Sequence, residues 1–337
     1  MVENFVADDN DVAAGEGDVR HNGNMRRRGV LLFLRSLDND YQQHLRDDAI
    51  AAAPRFGYTL TVHSAHNDAA RQAAQIRTAL GATNNGGDEG NEIAAVMVSP
   101  VREELEEVAR FAIERGVGWA QLNREAPYIP SLREQAGAIP AFCVSPNQIE
   151  IGRLQAAQAK KLAPKGGHII TITGPRRTSS SRMRIEGMWS ELGPTYPLTL
   201  LECDWTTEGA RLILDRWLRD TPGSVPCLVA AQNDEMALGA RQALRDAALA
   251  RGPGDLETVP VIGVDGSPGF GQRMVREHRV AATITLPSAS SVALEHLAAY
   301  HERGVMPPPR LFLPVASFPP VPALAPPAKP EPAQSAG

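Results

Sequence analysis

The 337-residue sequence is poor in cysteine, in aromatic residues and in excess positive charge. Its three cysteines, Cys143, Cys203 and Cys227, lie far apart with no CxxC or Cys/His spacing. Neither a disulfide framework nor a zinc site is therefore expected, and the thiols read as small apolar side chains. Lys and Arg number 34 against 39 Asp and Glu, a net charge of -5, so nothing pulls the chain towards nucleic acid or an anionic membrane. No apolar run approaches the roughly 18 residues of a transmembrane helix, so direct membrane insertion is not expected. The stretch "NMRRRGVLLFLRSLDND" has the basic start of a secretory signal. Its apolar run ends at Arg35 and no small-residue cleavage site follows, so a signal peptide is not expected.

Motifs that carry chemistry are missing as well. "GPRRTSSSR" (174–182) lacks the spacing of a phosphate-binding loop, and "GVDGSPGFG" (263–271) misses GxGxxG, which leaves no support for a nucleotide cofactor. There is no GxSxG elbow, no HExxH helix and no suggestive Ser/His/Asp set. His63 and His66 are the only close histidines and have no carboxylate-rich partner motif, so no metal site is expected. Asp234 and Glu235 are adjacent and would point in different directions on a helix, a poor acid/base pair. No catalytic residue and no cofactor are assigned.

What is present is the material of an α/β protein. Hydrophobic residues at 43% and charged residues at 22% suit a globular chain large enough for two cores. Residues 1–28 are acidic and without apolar period, and 319–337 are Pro-rich, so both ends are expected to be disordered, the tail extended. Between them, short apolar runs alternate with helix-period segments. Strands are expected at 30–35, 59–64, 93–98, 118–122, 141–144, 168–173, 198–203, 227–231, 259–264, 282–286 and 311–315. Helices are expected at 41–53, 102–115, 148–162, 180–192, 208–219, 235–249 and 290–303. Strands apolar throughout and separated by helices indicate parallel sheets covered on both faces. Eleven strands are too many for one comfortable open sheet here, so two doubly wound lobes are expected. The Pro- and Gly-rich stretch 123–148 reads as a long connection at which the chain crosses between them, and 81–92 as a surface loop.

In open parallel sheets ligands sit beyond the carboxyl ends of the strands. The polar residues there are Asp38, Asn39 and Tyr41, then Ser99, then Asn123 and Arg124. Later strand ends carry Thr178–Ser181 with Arg182, Asp204 with Trp205, Asn233 with Asp234 and Glu235, and Asp265. Amides, carboxylates and guanidinium groups can bridge the hydroxyls of a polyhydroxylated ligand, while Tyr41 or Trp205 supplies a flat partner for a ring's C–H face. Each residue also has a plain structural reading. Asn233, Asp234 or Asp204 would serve as helix caps, Arg182 as a solvated helix position, Asp265 as part of a Gly-rich turn and Trp205 as packing under its loop. In "AAQNDEMALGARQAL" (230–244) the reading adopted is that Asn233 reaches the ligand, whereas Asp234 and Glu235 cap and charge the first helical turn.

"VAAQNDEMALGARQAL" followed by "VPVIGVDGSPGFGQRMVREHRVAATI" resembles the type 1 periplasmic binding proteins of the ribose and galactose group, whose fold is shared by the effector domains of lactose-repressor-like regulators. The resemblance runs over about 30–318. It implies two Rossmann-like lobes with parallel sheets joined by a three-strand hinge, divided here as 29–143 plus 285–311 and 144–284 plus 312–318. It also implies a ligand clamped in the interlobe cleft by hinge closure. Carried over residue by residue, it makes Asn39 and Tyr41 the first ligand loop and puts Arg124 beside the ring hydroxyls. Arg182 would enter the cleft, Trp205 would stack, and Asn233 and Asp265 would hold hydroxyls. Where the family has two aromatics this chain has Tyr41 and Gln42; for Asp-Arg it has Asn123-Arg124, and Ser99 stands where an amide is common. Thr285 and Leu286 stand where a glutamine is usual. A repressor's helix-turn-helix headpiece is not expected in 1–28.

The resulting expectation is a non-catalytic sugar-binding protein, the solute-binding component of an ABC-transporter or chemosensory system, with a permease or receptor as partner. The family places such a protein in the periplasm or cell envelope. The alternative is an intracellular ligand-sensing module on the same fold.

Overall fold

The computed structural model describes residues 28–82, 92–102, 104–251 and 255–327. The expected disorder of 1–27, most of the loop 81–92 and the end of the tail fall outside the described residues. The chain divides into two units. Among the described residues the first comprises 28–38, 42–145 and 288–312, and the second 39–41, 146–287 and 313–327.

The first unit is built on a sheet with the order β11-β5-β4-β3-β1-β2. Its strands are β1 (Arg28–Leu34), β2 (Tyr58–Ser64), β3 (Ile93–Val98), β4 (Gly118–Leu122), β5 (Ala141–Pro146) and β11 (Arg310–Leu313). β1 pairs in parallel with β2 and β3, and the parallel run continues through β4 and β5. The helices α1 (Asp40–Ala52), α2 (Ala69–Ala82), α3 (Glu106–Ile113), α4 (Ile129–Ala136) and α10 (Ala289–Arg303) alternate with these strands in the chain. One core cluster gathers Phe33, Val96, Trp119 and Cys143 from the sheet against Ile76, Ala109 and Leu132 from the helices.

The second unit has a parallel sheet of order β7-β6-β8-β9. Its strands are β6 (Ile169–Thr173), β7 (Leu198–Glu202), β8 (Leu228–Ala231) and β9 (Val261–Ile262), and single parallel bridges carry it on to β10 (Thr283–Thr285). β10 pairs antiparallel with β12 (Ala316–Phe318). Alternate strand residues face opposite ways. Ile170, Ile172, Val229 and Ala231 pack with α7 (Thr207–Asp220) and α8 (Asp234–Arg251), while Ile169, Leu228 and Ala230 pack with α5 (Gln148–Leu162) and α6 (Ser179–Glu191). Two buried faces explain why β6, β8 and β9 are largely apolar. α5 and α6 approach closely: a Cβ on Gly152 would lie 2.1 Å from the Arg184 carbonyl oxygen, and one on Gly187 2.0 Å from that of Ile149. That contact fixes the height of α6 on the sheet.

Four elements differ from expectation. The stretch 123–148, read as a connection, contains α4, which opens with Ile129-Pro130; proline is compatible with a first helical turn because that N–H has no intrahelical partner. α2 was not singled out; Asp68 caps it by accepting from the backbone N–H groups of Ala70 and Arg71. The short helix α9 (Gly271–Arg276) and strand β12 were not expected either. The tail is not extended from 319. A short helical turn covers Val321–Ala323, and Leu324 is buried in the cluster of α5 and α6. No described helix is long and apolar enough to cross a membrane.

Candidate functional site

The second unit gathers polar groups at its strand ends, together with the segment 39–41. After β6 the chain reaches Gly174 and then α6, whose inward face carries Ser181, Arg184, Ile185 and Met188, positions that recur on one side of a helix. Arg184 is buried: its Nε donates to Gln148 Oε1 at 2.7 Å and its Nη1 to the Gln232 carbonyl. No hydrogen bond to the described residues engages its Nη2. Burial lowers its pKa, which the nearby charges of Asp265 and Asp234 counteract. Arg182, two positions earlier, is exposed and donates to the carbonyls of Arg176 and Arg177. The arginine that enters the cluster is therefore Arg184, because a step of two residues turns about 200° around a helix.

Trp205 follows β7 with φ +72°, and its indole lies so flat on the chain that a Cβ on Gly174 would come within 2.0 Å of it. The Arg184 guanidinium sits 6.0 Å from the Trp205 ring centroid. Asp204 is turned away, accepting from Thr206 Oγ1, and Thr206 in turn caps α7.

After β8 the cap of α8 is Asn233 and not, as expected, Asp234. Asn233 caps α8, its Oδ1 accepting from the Met236 N–H at 2.8 Å, and its Nδ2 donates to the Trp205 carbonyl at 3.1 Å. Each end of the amide thus makes one of the two hydrogen bonds it can form. Asp234, expected as a cap, turns away from its helix to accept from the Gly266 N–H and from Thr283 Oγ1, each at 2.7 Å. Glu235 accepts from Thr207 Oγ1 on α7. Burial is the main cause lifting the Asp234 pKa to about 7; the two hydrogen bonds oppose it and the negative charges of Asp40 and Glu235 add to it.

Asp265 leaves β9 with φ +108°, a backbone state that costs a non-glycine residue on the order of 1–3 kcal/mol. Among the described residues no group donates a hydrogen bond to its carboxylate. Burial, and then the neighbouring charge of Asp234, hold its pKa well above the usual carboxylate range, with Arg184 pulling the other way. Tyr41 is buried and its phenol is pushed upward by burial and by the charge of Asp265. Asp40 accepts from Ser267 Oγ on the loop after β9. Thr285 spends its hydroxyl on the Ala316 carbonyl, tying β10 to β12.

Sequence reasoning missed Gln232 and Gln148. Gln232 accepts from the Gly174 N–H and donates to the Ser181 carbonyl, so one side chain joins the ends of β6 and β8 to the start of α6. A glutamine between the apolar end of β8 and the capping asparagine was the available signal.

The first unit carries a second set of strand-end groups. Ser99 lies buried after β3. Asn123 follows β4 at φ +70°, and Arg124 donates to the Val101 carbonyl. A neutral relay supports this turn: Trp119 Nε1 donates to Tyr128 OH, which donates to Gln121 Oε1, and Gln121 Nε2 donates to the carbonyls of Arg124 and Glu125. Asn39, at the start of α1, groups with the second unit. His63 stacks on Phe33 with centroids 4.7 Å apart, and His66 sits in a turn at φ +49°. No group of three metal-ligating side chains occurs among the described residues.

The family model described as a periplasmic binding protein domain matches residues 30–293. A putative rhizopine-binding protein of Rhizobium meliloti is 29% identical over 218 residues, 63% of this chain and 63% of that protein, just under two thirds of its length. The ribose import binding protein RbsB of Salmonella typhimurium is 26% identical over 264 residues, 77% of this chain and 79% of that one. The solved structure of an ABC transporter periplasmic solute-binding protein from Actinobacillus succinogenes 130z with bound D-allose matches with a TM-score of 0.73 at 20% identity, covering 86% of this chain and 97% of that one. At that identity the likeness speaks for the fold, which is the one described above. With parallel sheets in two units and the family model spanning most of its length, the chain belongs to the periplasmic binding proteins of type 1, a family of solute-binding proteins.

Proposed function

We propose that this protein binds a neutral polyhydroxylated small molecule, a monosaccharide or polyol, and presents it to a membrane transporter or chemoreceptor. The observation that carries the reading is the pairing, in one cluster, of an acceptor and a donor that the protein leaves open. No described residue donates to the Asp265 carboxylate or engages Arg184 Nη2, the charge of Arg184 acts on Asp265, and the guanidinium carbon lies 6.0 Å from the Trp205 ring centroid. A sugar ring matches that set, since its hydroxyls both donate and accept and its C–H face lies on an aromatic. Asn233 contributes through Trp205, whose backbone it holds. Ser99, Asn123 and Arg124 offer the same kinds of group on the first unit. The relatives named for ribose and rhizopine, and the D-allose complex, agree with this ligand class. The family also favours a periplasmic or cell-envelope location over the intracellular sensor.

Calorimetric titration with D-ribose, D-allose, xylitol and further monosaccharides tests the reading. At least one should bind, and Arg184→Ala should lower its affinity. A panel without a binder, together with thermal midpoints that no candidate raises, would refute it.

A further inference from the structure

We propose that Asp234 is a positioning residue for ligand binding: its carboxylate sets the Asp265–Gly266 turn and so aims the carboxylate that meets the ligand's hydroxyls. The inference rests on the reading of Asp265 given under Proposed function.

A buried carboxylate is costly unless hydrogen-bonded, and Asp234 spends its hydrogen bonds on other segments rather than on α8. Its Oδ2 takes the N–H of Gly266 and its Oδ1 the hydroxyl of Thr283, 32 and 49 residues away in sequence. Two further segments close against the same atoms. A Cβ on Gly263 would lie 2.1 Å from Oδ1, and one on Gly271 1.9 Å from Oδ2, so both positions admit only glycine while the carboxylate stays in place. The exit of β9, the start of α9 and β10 thus converge on one side chain. Between the two glycines lie Asp265 and Gly266, both at positive φ, +108° and +57°. A strained turn persists only where its surroundings over-determine it, and the bond to the Gly266 N–H acts at the residue next to Asp265.

The same carboxylate also acts through charge. The groups around the pair are Asp40 and Tyr41 from α1, Arg184 from α6 and Glu235 from α8. Asp265 must be ionised to accept from ligand hydroxyls with both oxygens, and a negative Asp234 opposes that ionisation. The two carboxylates therefore titrate as a coupled pair.

The decisive variant is Asp234→Asn. Its amide oxygen can accept from Gly266 and its NH2 can donate to Thr283, so the bonds persist while the charge goes. Titrating the probe that binds in the panel, from pH 5 to 8, should show weakening in acid for the wild type. In Asp234→Asn that limb moves to lower pH, with affinity at pH 8 within about threefold of wild type. Asp234→Ala removes the anchor and should weaken binding about tenfold or more at every pH. Thr283→Val, which deletes one bond at constant size, should weaken it about threefold. NMR titration of 13C-carboxyl-labelled aspartate in ligand-free protein gives an independent readout: Asp265 ionises at lower pH in Asp234→Asn. A merely structural Asp234 would lower thermal midpoints while leaving affinity and both pH profiles unaltered, and that result overturns the proposal. If the wild type binds and Asp265→Asn abolishes binding while the Asp234 variants match wild type, this inference alone fails. If the wild type binds no probe, the reading of the site fails and the inference falls with it.

Discussion

The two units support their strand-end turns by different chemistry. In the first, the turn after β4 rests on a neutral relay, Trp119 to Tyr128 to Gln121 to two backbone carbonyls. In the second, the turn after β9 rests on an ionisable carboxylate, Asp234, with Asp265, Arg184, Asp40 and Glu235 around it. Both turns place a non-glycine residue at positive φ, Asn123 and Asp265. The neutral scaffold holds its geometry without regard to pH, because Tyr128 is pushed above its ordinary range and its partners do not titrate. The charged scaffold ties geometry and stability to protonation and, on the proposed reading of the site, ligand affinity as well. The same backbone problem is thus solved once for constancy and once for coupling.

The largest blow to the charged scaffold is Arg184→Ala. It strips the one cation that acts on Asp265 among the described residues and removes the hydrogen bonds to the Gln232 carbonyl and to Gln148 Oε1, so unfolding free energy should fall by about 3–5 kcal/mol in denaturant titration. Next comes the pH dependence of stability. The folded protein keeps a proton on Asp234 up to about pH 7, whereas the unfolded chain releases it near the ordinary carboxylate value of 3.8. Stability from this group is therefore fully present in acid and is lost as pH rises through about 7. Asp234→Asn removes that loss, so its stability relative to wild type should climb between pH 4 and 8 by about 1–3 kcal/mol, as read from melts at each pH.

The neutral scaffold should behave otherwise. Gln121→Leu removes the acceptor of the Tyr128 hydroxyl and the donor to two backbone carbonyls and should cost about 1–2 kcal/mol. The loss should be the same at pH 5 and at pH 8; a strong pH dependence would erase the contrast between the units. Smallest is Arg182→Ala, whose side chain is exposed and, among the described residues, bonds to the carbonyls of Arg176 and Arg177. It should change stability by no more than about 0.5 kcal/mol and affinity hardly at all.

Much of the scaffold was legible because hydrophobic periodicity is a local property. The expected 93–98, 118–122 and 148–162 coincide with β3, β4 and α5. α4 was hidden by its proline and by the polar stretch around it, whereas α2 carried a readable signal in Ile76 and Leu80, four residues apart and both buried. The site was legible as a set of strand ends but less so as individual roles. Arg184 and not Arg182 shares the buried face of α6, a matter of helical phase that the spacing of Ser181, Ile185 and Met188 carries. That Asn233 rather than Asp234 caps α8 could not be read locally. As a short polar residue before a helix either could cap, and what decides is that Gly266 and Thr283, far along the chain, converge on Asp234 while Trp205 claims the Asn233 amide.

The most direct test of the central claim, that the open carboxylate of Asp265 beside Arg184 is a ligand contact, is calorimetric titration of wild type and Asp265→Asn with the sugar or polyol that binds best. Affinity should fall about 10- to 100-fold, because a charge-assisted acceptor is replaced by a neutral amide. The thermal midpoint without ligand should stay level or rise, since no group in the described structure donates to that carboxylate. Equal affinity in the two proteins would contradict the account.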